Sequence, residues 1–167
     1  MKRVWLILVA VFVFATCTFG LSASASQSTA VQVNQEIRMF ERVSWTLACY
    51  INQVDCSNIP RPLVIYADLP PEQKIWGVYE LGNSYVVLSN ELNGDTFSTV
   101  ILAHEYTHYL QFIQRKFHAP GDPKEIECAT EQAATTVGYI VAIAAGVDND
   151  PRVPTWDDVK DSYGCEK

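Results

Sequence analysis

Basic residues are scarce in this chain. Twelve Lys and Arg stand against nineteen Asp and Glu, for a net charge of −7. Nucleic-acid binding needs cations to neutralise phosphates, so no nucleic-acid partner is expected. The acidic balance favours solubility and implies nothing further. Histidine is scarcer still, at three in 167 residues, so two histidines set close together carry information. No two cysteines have the C-x-x-C spacing common in structural zinc sites. Internal repeats and low-complexity segments are missing, which leaves repeat architectures out. Long apolar runs are missing too. Trp5 to Phe14 is strongly apolar and continues weakly to Leu21, and Ala133 to Val147 is almost uniformly apolar. Both fall short of the ~20 residues of a membrane-spanning helix, and the second reads as a buried core helix.

The first apolar run follows a basic head, Met1-Lys2-Arg3, and precedes Ala23-Ser24-Ala25, an A-x-A site with cleavage before Ser26. Residues 1–25 therefore read as a secretory signal peptide. The rival is an uncleaved anchor. A lipoprotein signal at Cys17 fits poorly, because Thr16 is bulky just before the cysteine. Removal of Lys2 and Arg3 makes the remainder more acidic by two charges. Residues 26–167 suit a single domain with one core, with no membrane span after cleavage. Four cysteines remain there, Cys49, Cys56, Cys128 and Cys165. An even number behind a leader implies two disulfides and a secreted or periplasmic protein. Of the three pairings, Cys49–Cys56 closes a short local loop and Cys128–Cys165 ties the tail to the body. These two are the expected ones.

Residues 26–34 are polar and read as a loose start. Ile37, Phe40, Leu47 and Ile51, with Val43 or Trp45, recur at near-helical spacing and predict a helix over 35–51. Pro60 and Pro62 then forbid one. Strands are expected at 63–67, 75–81 and 85–89, the last two forming a hairpin about a two-residue turn at Gly82-Asn83. A helix is expected over 96–116, capped by Asp95, with Ile101, His104, His108 and Phe112 inward. Asp122-Pro123-Lys124-Glu125 is a strong start signal for a helix over 123–145, stopped by Gly146. Thr155-Trp156-Asp157-Asp158 resembles a capping box for a short last helix ending at Gly164. The fold class is α+β.

Two of the three histidines lie in His104-Glu105-Tyr106-Thr107-His108, inside an apolar, helix-like run. With about 3.6 residues per turn, both imidazoles stand on one helix face. They can share one zinc ion and leave coordination positions open, while Glu105 is placed to take a proton from water. The bland alternative is two solvated histidines on an amphipathic helix. The apolar flanks favour the zinc site. A catalytic zinc usually has a third protein ligand. The pattern with a third histidine needs glycine at 111 and histidine at 114, and both positions are glutamine. His118 lies beyond the helix end, where a histidine is usually merely solvated. The next helix offers Glu125, Glu127 and Glu131. Glu125 suits the helix start. Glu127 and Glu131 share a face that continues through Ala134, Gly138 and Ala142, small residues that allow close helix approach. Glu127 is the favoured ligand, with Glu131 beside it as a hydrogen-bond acceptor for a ligand histidine. The reversed assignment stays open.

His104-Glu105-x-x-His108, then Glu127 with an acid four residues later, resembles the gluzincin class of zinc metallopeptidases, and the small size resembles its minimal members. The resemblance covers residues 84–145. It implies a zincin-like fold, with a small antiparallel or mixed sheet packed on the active-site helix and a second ligand helix. It also implies an exposed edge strand near Tyr85 to Asn90 that pairs with an extended substrate. The departure is Glu131, where many relatives have Asp. Such enzymes carry a transition-state donor, for which Tyr139, Tyr163 and His118 are candidates. The expected function is a secreted zinc peptidase acting on peptides or proteins, with Glu105 as general base. A zinc-holding binding module without hydrolysis is the alternative. A structural domain without metal is a third reading, and it needs the motif to be accidental.

Overall fold

The computed structural model describes residues 28–70 and 75–165. The expected leader, residues 1–25, lies outside them. The first helix, α1, is Ser28–Ile51. It starts earlier than the spacing of apolar residues predicted. The polar stretch over 28–34 contains neither glycine nor proline, so nothing in it opposes a helix. After α1 the chain turns sharply. Gln53 takes a positive φ of 56°, the Val54 amide donates to the Cys49 carbonyl, and the Cys49–Cys56 disulfide closes the turn.

Three strands follow: β1 (Leu63–Ala67), β2 (Gly77–Val78) and β3 (Tyr85–Ser89). They form one mixed sheet in the order β1-β3-β2. β1 runs parallel to β3, with Leu63 opposite Tyr85, and β2 runs antiparallel, with Gly77 opposite Leu88. Two expectations change here. β3 is the central strand, paired with β1 from Tyr85 to Ser89 and with β2 at Val87 and Leu88, so it is not the sheet's edge. The hairpin also lacks the tight two-residue turn: residues 79–84 link β2 and β3. Tyr79 leaves the ladder to bury its ring against Tyr109, centroids 5.7 Å apart. Its hydroxyl accepts from the Gly82 amide. That burial shortens β2 to two residues.

The long helix α2 is Ser98–Ile113. Asp95 serves its start differently from a formal cap. One carboxylate oxygen accepts from the Phe97 amide at 2.9 Å, and the other accepts from Arg152 at 2.6 Å. The Arg152 guanidinium also lies 4.5 Å over the Phe97 ring. α2 stops where Arg115 enters the left-handed region, followed by a 3-10 turn at Lys116–His118. Helix α3 is Pro123–Ala145, as the start and stop signals predicted. The Asp122 carboxylate accepts from the amides of Lys124 and Glu125, and Gly146 ends the helix at φ 69°. The last helix, α4, is only Trp156–Val159, opened by a Thr155–Asp158 capping box. Cys165 then bonds to Cys128.

α2 is buried nearly all round. The sheet covers one side through Val86 and Leu88, both fully buried. On another side α1 approaches through small residues. Ser44 donates to the Thr99 carbonyl, and Asn52 donates to the Thr107 hydroxyl at 3.1 Å. Trp45 meets Tyr106 edge-on. α3 covers a third side, close enough at Gly138 that a Cβ there would lie 3.4 Å from the Val100 carbonyl and 3.7 Å from His104 Cβ. No described helix is long and apolar enough to cross a membrane.

β2 depends on the missing side chain of Gly77. A Cβ there would meet Ile101 Cγ2 at 2.5 Å, Leu88 Cδ2 at 3.0 Å and Glu105 Cγ at 3.2 Å. Gly77→Ala is therefore predicted to lower unfolding stability by about 1–3 kcal/mol through overpacking. Urea unfolding of the variant measures this, and an unchanged midpoint would mean that β2 moves freely off α2.

Candidate metal centre

α2 carries His104 and His108 one turn apart, and the two rings meet edge-on with centroids 4.7 Å apart. Their Nε2 atoms lie 3.1 Å from each other. The third member of the group is Glu131, on α3. Its Oε1 is 3.3 Å from His104 Nε2 and its Oε2 is 3.2 Å from His108 Nε2. These three residues could hold a metal ion. Glu131 is buried, and so is Glu105, each at 6% exposure, while both imidazoles are partly open. The group thus sits at the edge of the core rather than sealed within it.

The electrostatics describe a carboxylate that needs cationic company. Burial pushes Glu131 up, but hydrogen bonds and charge from His104 and His108 outweigh it and hold the group well below the usual carboxylate range. Burial pulls His108 down, and Glu131, with help from Glu105 and Gln111, reverses this and raises it. Two facing Nε2 atoms each want a proton or a cation between them and the carboxylate. A divalent ion satisfies all three groups at once.

Glu127, the favoured third ligand on sequence grounds, is not in this group. It is exposed and pairs with Lys124 at 2.9 Å. The reason is the packing register of two antiparallel helices. Val100 faces Gly138 and Gln111 faces Thr130, so the residue opposite His104 and His108 is Glu131. Glu127, one turn nearer the start of α3, falls opposite the end of α2, where the chain turns away at Arg115. The predicted small-residue face of Ala134, Gly138 and Ala142 is buried as a continuation of Glu131. His118 and Glu125 are exposed.

Among the donor candidates, Tyr139 is exposed on α3. Tyr163 is the one brought to the group. Partial desolvation of this otherwise exposed side chain, then the charges of Glu131 and Glu105, push its hydroxyl up to about 12. It stays protonated, as a donor. It arrives there because the Cys128–Cys165 bond, with Cα atoms 5.7 Å apart, pins the tail to the first turns of α3. Gln111 was missed on the sequence. Its side chain reaches both His108 and the α3 backbone. The only available signal was a glutamine where the apolar face of α2 should continue.

No family model, no curated protein and no solved structure matches this chain. The site is therefore read from its own geometry.

With zinc as the probe, Glu131→Ala is predicted to weaken binding to the full chain by at least tenfold, while Glu127→Ala stays within about twofold of wild type. Titration calorimetry measures both. Equal losses would return Glu127 to the group.

Proposed function

We propose that this protein is a secreted or periplasmic zinc-dependent peptidase of gluzincin type. The observation that carries the reading is the convergence of His104 Nε2, His108 Nε2 and the Glu131 carboxylate, with Glu105 buried beside them. Ligand atoms around a tetrahedral zinc at its usual bond lengths lie about 3.3 Å apart; the two Nε2 atoms are 3.1 Å apart, and Glu131 sets Oε1 3.3 Å from one of them and Oε2 3.2 Å from the other. Two disulfides support an oxidising compartment.

His104, His108 and Glu131 would hold the ion. Bound there, zinc supplies a Lewis acid that polarises a scissile carbonyl and acidifies water. Glu105 takes the proton of the attacking water and delivers it to the leaving amine. Its charge raises both His108 and Tyr163, which supports a place for it near the ligands. The Tyr163 hydroxyl, kept protonated, donates to the oxygen that gains charge as the carbonyl is attacked. Substrate backbone pairs with β2, not β3. β2 is an outer strand, and Gly77 lies against Glu105. An extended peptide laid along it passes the base directly.

A binding module that holds zinc without hydrolysis is the second reading. The shortness of β2 favours it, since two residues offer little backbone for a substrate. Cleavage of a peptide library by the zinc-loaded protein separates the two. Glu105→Gln should keep its zinc and lose about 10²–10⁴ in kcat; wild-type turnover in that variant would remove Glu105 as the base. Tyr163→Phe should also keep zinc and lose about 10²–10³ in kcat with little change in KM, read by steady-state kinetics on a cleaved peptide.

A further inference from the structure

Gln111 stands where both ligand-bearing helices need it. It lies on α2 three residues after His108, and only 1% of it is exposed. Its Nε2 donates to the Thr130 carbonyl of α3 at 2.9 Å. Its Oε1 lies 3.0 Å from His108 Nδ1. The amide cannot be turned round. Reversal would set Oε1 against the Thr130 carbonyl, two acceptors with no proton between them. In this buried site no water offsets such a mismatch. Oε1 is therefore the acceptor at His108, and His108 Nδ1 must be the donor. A neutral imidazole has one N–H. With that proton held on Nδ1, the lone pair is left on Nε2, the atom that faces His104 and Glu131.

We propose that Gln111 is a positioning residue of this centre. It locks His108 in the Nδ1–H tautomer that presents Nε2 to a metal. Through the carbonyl of Thr130, the residue just before Glu131, it also fixes the spacing between the helix that supplies the imidazoles and the helix that supplies the carboxylate. One buried amide thus orients one ligand and registers another. The role rests on the reading of His104, His108 and Glu131 as a metal centre. The proton on Nδ1 does not, because the two hydrogen bonds of Gln111 exist without an ion.

The test uses the full chain and two variants. Gln111→Met keeps the length of the side chain and removes both hydrogen bonds. Gln111→Glu keeps an acceptor toward His108 and removes the donor to Thr130. Nitrogen-15 NMR of the histidine rings in metal-free protein, at a pH high enough that the ring signals no longer move, reads the tautomer. Zinc titration reads the affinity, and thermal unfolding reads stability. The wild type should show His108 as Nδ1–H. Gln111→Met should lose that preference and bind zinc about 10–100-fold more weakly. Gln111→Glu should keep the Nδ1–H form and recover most of the affinity, though it melts lower than wild type.

A merely structural glutamine would lower the melting temperature in both variants and leave the tautomer unchanged; that result overturns the proposal. So does wild-type zinc affinity in a folded Gln111→Met. Should Gln111→Met fail to fold, Gln111→Glu carries the test through the Nδ1–H proton signal of His108: a downfield shift from wild type, from the stronger carboxylate acceptor, upholds the proposal, and an unmoved signal or a lost Nδ1–H form overturns it. A wild type that shows the Nδ1–H tautomer and binds no zinc leaves the lock in place and removes the metal reading instead.

Discussion

Two imidazole nitrogens 3.1 Å apart, both turned on one buried carboxylate, cannot be left to themselves inside a protein. Each unpaired group would carry a desolvation cost of several kcal/mol. Protons or a cation must mediate the arrangement, and the packing around α2 fixes the backbone that carries both rings. Much of the fold serves that packing. α2 is enclosed by the sheet, by α1 and by α3. A helix so enclosed cannot rotate or slide without losing contacts on every side. His104 and His108 are carried on an element packed on three sides, which holds their backbone in place.

The two disulfides act at the ends of this assembly. Cys49–Cys56 closes the turn that follows α1 and starts the chain toward β1. Cys128–Cys165 does more for the site. It joins the first turns of α3, just before Glu131, to the tail just after Tyr163. A tail of turns and one four-residue helix buries little apolar surface of its own. The covalent link is what keeps the Tyr163 hydroxyl beside a carboxylate whose charge it must bear. α3 is held to α2 by close approach at Gly138 and by the amide of Gln111, one contact on each side of Glu131.

Local chemistry was legible in the sequence. The start and stop of α3 followed from Asp122, Pro123 and Gly146, because capping acts within a turn. The His104–His108 spacing placed both rings on one face for the same reason: helix geometry is local. Both disulfide pairings were read from loop length and position. The end of α1 was read correctly and its start was not, since a polar segment without glycine or proline is a weak stop.

What the sequence by itself determined is the set of helices, the pairing of the cysteines and the two imidazoles that share a face. Each depends on residues a few positions apart or on a covalent bond. The tertiary structure decided three things. It made β3 a central strand by pairing β1 with it in parallel across a long connection, which no local pattern encodes. It chose Glu131 over Glu127, because the choice depends on the sliding register of α2 against α3 and both acids sit on the same face of their own helix. It brought Gln111 to His108 and Thr130 together. A side chain's partners across an interface are set by the sum of packing contacts between elements, and that sum exists only after they have docked.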